Sequence, residues 1–200
     1  MNPYITEITP LTIAGWTLRI KLPNISRHAD IPAFCYTDIY ETAEKEQLSN
    51  KTYKLRGHFK KSDIIKHCEI YLIYDVDRIN GEFSYLFGRG IVHPDNQKNI
   101  LPDLVSIEIS GLYAIFSSPL VPVEQGEKIE QIIKDLWSDI MLKWLHESEF
   151  EYDRTRKDFE YYDNRSHGQF FGGKKQMDIY IPIRQKEEAY REAEKKGFVF

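Results

Sequence analysis

Only two cysteines, Cys35 and Cys68, occur in 200 residues, and neither belongs to a CxxC pair or has a histidine at ligand spacing. A disulfide framework and a thiolate metal site are both excluded, and the two read as reduced core residues. No apolar run approaches the length needed to cross a bilayer, and Met1-Asn2-Pro3-Tyr4 lacks the basic region and apolar run of a secretory leader. The chain is therefore expected in the cytoplasm, away from membranes. Positive charge is in deficit, with 27 Lys and Arg against 31 Asp and Glu and a net charge of −4. That balance does not suit a domain that grips phosphate backbones, so no direct nucleic-acid binding is expected. No Ser-His-Asp set or nucleotide loop stands in the chain, and none of the six histidines is spaced to share a metal with another. No metal or cofactor is expected.

What is present is an ordinary globular composition, 42% hydrophobic and 29% charged, with a surplus of rings: 13 Tyr, 11 Phe and 3 Trp. That is more aromatic surface than a core of this size needs, and flat apolar ligands are one reason to carry it.

Residues 4–22 read as extended. From Trp16 to Leu22 apolar residues alternate with Thr17, Arg19 and Lys21, the pattern of a half-buried strand. Asp30-Ile31-Pro32 looks like a helix start, and apolar residues follow at helical spacing from Ile31 to Ala43. The basic run over 53–67 reads as a solvated loop. Cys68 to Tyr74 and Phe83 to Val92 are apolar runs joined through Asn80-Gly81, a turn signal that predicts an antiparallel hairpin. Gly88-Arg89-Gly90 marks a bulge or a close backbone approach.

The pattern then starts again. Leu104 to Ile109 and Leu112 to Phe116 are strand-like, broken at Ser110-Gly111. Glu124 to His146 predicts the best helix of the chain, with Ile133, Leu136, Trp137 and Ile140 on a wide apolar stripe. The strand Phe159-Glu160-Tyr161-Tyr162, a Gly/Lys loop over 168–175 and the strand Met177 to Ile183 follow, and a charged helical tail begins at Gln185. Gly172-Gly173-Lys174-Lys175 has no helix start behind it and reads as a hairpin loop rather than an anion site.

Strand, helix, strand, strand thus occurs twice, over about 1–93 and 103–184. The expectation is an α+β fold in which two such modules share one antiparallel sheet, both long helices lie on one face and a pocket lies between the halves. Residues 1–184 are read as a single domain and 185–200 as an appendage.

Glu160 is the residue to explain. Alternation puts it on one face with Tyr162, while Phe159 and Tyr161 look the other way. Residue types leave two readings open. Glu is almost never fully buried without a partner, which favours a solvent-facing acid on an edge strand. On a cavity wall the same Glu becomes a socket for a cation or a general base.

The strand Leu112 to Phe116, the helix ending Trp144-Leu145, Phe159-Glu160-Tyr161-Tyr162 and Asp178-Ile179-Tyr180-Ile181-Pro182-Ile183 stand in the order found in a known family. In this the sequence resembles the gyrase-inhibitor-like effector-binding domain, which also forms the C-terminal part of AraC-type and MerR-type multidrug-sensing regulators. The resemblance covers roughly 104–184 closely and 4–93 more loosely, and it does not extend into the tail. It implies a duplicated fold with a pocket between the halves, and a Glu at the position of Glu160 on the pocket floor facing cationic aromatic ligands. Tyr162 shares that face, and Trp16, Tyr85, Tyr113 and Trp137 are the candidate walls. Where the family often carries Gly-Pro after its Tyr-Ala-Phe strand, this chain has Ser117-Ser118-Pro119-Leu120-Val121-Pro122, and its 46–67 insertion and Gly/Lys loop are longer than usual. Those departures bear on the pocket rim and on ligand choice.

No helix-turn-helix module precedes Tyr4, so a free-standing member without its own operator-binding domain is expected. Three functions follow from the resemblance. The preferred one is a small-molecule binding module that senses or sequesters amphipathic cations. A second is hydrolysis of reactive electrophiles, with Glu160 orienting water, as in some gyrase-inhibitor-like proteins. The third is a protein partner, as in topoisomerase inhibition.

Overall fold

The computed structural model describes residues 2–21, 65, 68–77, 80, 82–92, 104–125, 127–168 and 172–186. The helix expected over 30–43, the 46–64 segment, Cys35 and the helical tail after residue 186 lie outside them.

β1 (Tyr4–Lys21), β2 (Glu69–Asp77), β3 (Glu82–Ile91) and β4 (Val105–Ser117) follow in chain order. After them come the short β5 (Val121–Pro122) and the helix α1 (Glu127–Asp139). β6 (Phe150–Tyr152), β7 (Phe159–Tyr162), β8 (Lys174–Lys175) and β9 (Asp178–Gln185) complete the set. The expected hairpin forms as β2 and β3, with Asn80 in the turn donating from its backbone and side chain to the Asp77 carboxylate. β4 is one strand rather than two, because Gly111 takes a positive φ of 99° and lets the backbone run on through Ser110-Gly111.

All pairings are antiparallel, and the order β4-β1-β3-β2-β7-β9 returns to β4 through the contact of Tyr113 to Ser117 with Asp178 to Pro182. The sheet is thus a closed ring of six strands, with β6 alongside the C-terminal part of β9. Exchanging β1 for β4, β2 for β7 and β3 for β9 leaves this set of pairings unchanged. The β1–β4 register shifts between Ile8 and Leu11, around Pro10, which has no N–H to give the ladder.

Each strand sends alternate side chains to the two sides of the ring. Inward, all six strands contribute to one cluster built from Ile13, Ile70, Leu72, Leu86, Ile109, Tyr113 and Phe159, with Tyr180 packed against it. Cys68 belongs to this cluster, is buried, and has its thiol pushed up by desolvation. Outward, α1 covers Ala114, Phe116, Ile179, Ile181 and Ile183 with Ile133, Leu136, Trp137 and Ile140, the face expected from the stripe. The helix itself differs from expectation at both ends. A 3-10 turn at Val123–Gln125 precedes it, and after Asp139 it widens into a π turn over Ile140–Trp144 before a last α turn at Leu145–Glu147. Because Leu136 is buried in this cluster, Leu136→Ala is expected to cost about 2–5 kcal/mol. Denaturant melts check this, and a loss within about 0.5 kcal/mol would mean that the side chain faces solvent.

Among the described residues no helix is long and apolar enough to cross a membrane.

Candidate functional site

β7 is only four residues long, but it lies between β2 and β9, so it is not an edge strand. Phe159, Tyr161 and Tyr162 favour this pleated conformation. Its register places Glu160 opposite Ile179 on one side and Tyr71 on the other, on the outward side that α1 covers. Glu160 is 4% exposed. Its Oε1 accepts a hydrogen bond of 2.9 Å from the Trp137 indole N–H, and its Oε2 accepts one of 2.9 Å from the Tyr162 hydroxyl. Among the described residues no Lys, Arg or His forms an ion pair with it. Burial penalises its charged form and pushes the carboxyl up from 4.5 to about 8, the Tyr162 bond opposing this weakly. Burial thus favours the protonated form of this acid.

Rings continue from this acid across the sheet. The Tyr162 ring lies 4.9 Å from that of Tyr71, which lies 5.0 Å from Phe87 and 6.3 Å from Tyr85. Tyr85 and Phe87 meet edge to face at 4.7 Å, and Trp16, Leu18 and Ile73 pack on the same cluster. Of the residues singled out from sequence, Glu160, Tyr162 and Trp137 are in direct contact, while Tyr85 and Trp16 join them through Tyr71 and Phe87. Tyr113 is not brought to this face. Its neighbours Ala114 and Phe116 take the helix side, and its own ring points inward against Phe159 and Tyr180 under the Arg156 guanidinium. Tyr71 and Phe87 were not anticipated, although strand alternation places both on the face of Tyr85.

Chemically the arrangement offers one buried carboxyl with no counter-ion among the described residues, two neutral hydrogen-bond donors that hold it, and a row of aromatic faces. Aromatic faces attract cations by about 0.5–2 kcal/mol each where water is excluded. Among the described residues no group of three or more His, Cys, Asp or Glu could hold a metal.

Residues 4–183 match the family model Cass2, described as an integron-associated effector binding protein. Among solved structures the chain is similar to the integron cassette protein VCH_CASS2 from the mobile metagenome of Vibrio cholerae, at 19% identity and a TM-score of 0.50, covering 92% of this chain and 96% of that one. It is also similar to SAV2435, solved bound to tetraphenylphosphonium, at 14% identity and a TM-score of 0.53, covering 92% and 94%. At these identities the likeness is one of fold. No curated protein matches the chain in sequence.

Proposed function

The chain belongs to the family of integron-associated effector-binding proteins, and from that premise we propose that its effector is a small cationic aromatic molecule held at Glu160. The observation that carries this is the burial of Glu160 between Trp137 and Tyr162 without an ion-pair partner among the described residues. A buried acid with no counter-ion is costly to the fold, and a cationic ligand would remove that cost by supplying the missing charge. The ring row from Tyr162 through Tyr71 to Phe87, Tyr85 and Trp16 would take the aromatic part of the ligand. Tetraphenylphosphonium, the molecule bound to the similarly folded SAV2435, has this chemistry. The role is sensing or sequestration in the cytoplasm, as in the gyrase-inhibitor-like and AraC-type effector domains that the sequence resembles. The ring is read as two copies of one strand-helix-strand-strand module, a reading supported by the symmetry of its pairings.

Calorimetric titration with tetraphenylphosphonium and with neutral triphenylphosphine oxide tests the proposal. Glu160→Gln keeps the shape and removes the charge, so affinity for the cation should fall at least tenfold, ~1.4 kcal/mol, while the neutral compound binds as before. Equal losses for both would make Glu160 structural, and no loss for either would put the binding site elsewhere.

A further inference from the structure

The rings nearest the acid are held at fixed tilts. Glu69-Ile70-Tyr71 on β2 and Glu160-Tyr161-Tyr162 on β7 are both Glu-x-Tyr, and the register sets Glu69 opposite Tyr162 and Tyr71 opposite Glu160, so all four side chains share one face. Each tyrosine hydroxyl donates to the glutamate of its own strand at 2.9 Å, Tyr71 to Glu69 and Tyr162 to Glu160. The glutamates are anchored in turn, Glu69 by the Arg89 guanidinium at 2.7 Å and Glu160 by the Trp137 indole at 2.9 Å. A tyrosine tethered at its hydroxyl and packed against other rings is not free to turn its plane to suit a guest.

The planes so fixed do not match one another. Tyr71 is the hub, tilted by 39° to Tyr162, 54° to Phe87 and 51° to Tyr85, while Tyr85 and Phe87 stand at 77°. Among the described residues the near-parallel pairs lie elsewhere, Phe159 on Tyr180 inside the ring of strands and Trp144 on Phe150 at the far end of the helix. A flat polycyclic cation can lie face to face with only one plane of such a row. Rings that radiate from a central atom can meet two or more planes at once, each face to face or edge to face. We propose that the effector is a non-planar cation, several aryl groups twisted about a charged centre, and that Tyr71 is the residue that sets this preference. This rests on the reading of Glu160 as the cation site. The acid stands opposite Tyr71 in the β2–β7 register and beside Tyr162, so a charge at the centre of the ligand faces Glu160 while its rings spread over these two half-buried tyrosines.

The test uses two monocations: crystal violet, a propeller of three aryl rings, and its oxygen-bridged analogue, in which the same three rings are locked in one plane. In calorimetric titration the native chain should bind crystal violet at least about tenfold more tightly. Tyr71→Leu keeps apolar bulk and removes the hub plane. A flat cation still has Tyr162 to lie on, whereas the propeller loses a match, so the preference should shrink at least about threefold. Equal or tighter binding of the flat dye by the native chain, or an unchanged preference in folded Tyr71→Leu, overturns the proposal. The native ratio alone decides the matter if Tyr71→Leu does not fold. Both dyes carry one charge, so Glu160→Gln should weaken them alike and leave their ratio as it was. If the cation site itself were misassigned, Glu160→Gln would bind both dyes like the native chain, so the two failures are told apart.

Discussion

Glu160→Gln is expected to make the ligand-free protein more stable than the native chain, by a margin that grows with pH. The carboxyl sits at about 8 in the folded chain against an ordinary 4.5, because burial penalises its charged form. Between those values the folded protein keeps a proton that the unfolded chain releases. The contribution of this group to stability is thus complete below about pH 4.5, falls as pH rises, and levels off above about pH 8. Gln has no proton to lose, and it reproduces the protonated acid. Its amide oxygen accepts from the Trp137 indole and its NH2 donates to the Tyr162 hydroxyl oxygen. At 1.36 kcal/mol per pH unit the gap between variant and native chain should open from near zero to on the order of 5 kcal/mol at pH 8. Denaturant melts at about pH 5, 6.5 and 8 check it, and parallel stability curves for the two proteins would show that Glu160 is ionised when folded. The same substitution is the one expected to weaken cation binding, so the gain in stability and the loss of affinity have one origin.

Gly15→Ala should be the most damaging small substitution in the sheet. Gly15 faces Gly88 across the β1–β3 ladder, and a Cβ added there would come within 2.0 Å of the Phe87 carbonyl oxygen, 2.5 Å of Gly88 Cα and 2.7 Å of Phe87 C. Those atoms are backbone, and they cannot swing away as a side-chain end can. The ladder must open there, next to the Trp16–Phe87 and Leu18–Tyr85 pairs that build the ring row. A loss of about 3 kcal/mol or more is expected, at or above the upper end of the range for overpacked sites. Gly90→Ala is the control, since its nearest obstacle is the flexible end of Ile65 at 2.7 Å, and it should cost clearly less. Thermal melts of the two variants give the comparison, and equal stabilities would mean that β1 and β3 lie further apart than described.

Local periodicity made much of this legible in the sequence. Alternation from Trp16 onward gave β1 its buried and exposed sides, the Asn80-Gly81 signal placed the β2–β3 hairpin, and the stripe of α1 pointed Leu136 and Trp137 at the sheet. Alternation also set Glu160 and Tyr162 side by side. The π turn at Ile140–Trp144 was hidden, because one widened turn keeps the apolar stripe intact. Which side of the ring Tyr113 takes depends on its pairing with Pro182 across more than sixty residues, and no local pattern contains that. The Glu69–Arg89 pair was hidden for the same reason, although the two Glu-x-Tyr tripeptides could have been matched by eye.

Closure of the ring through β9 has a consequence during synthesis. While the ribosome is still adding residues before Asp178, β4 and β7 each have one side of their backbone ladder unpaired. Such open edges are where other chains add strands. β9 supplies the missing partner to both strands at once, so the last segment of the ring to be made removes both open edges together. Glu160 lies on one of these late-sealed strands, opposite Ile179. The strand that carries Glu160 is therefore sealed on both sides only once β9 has been made.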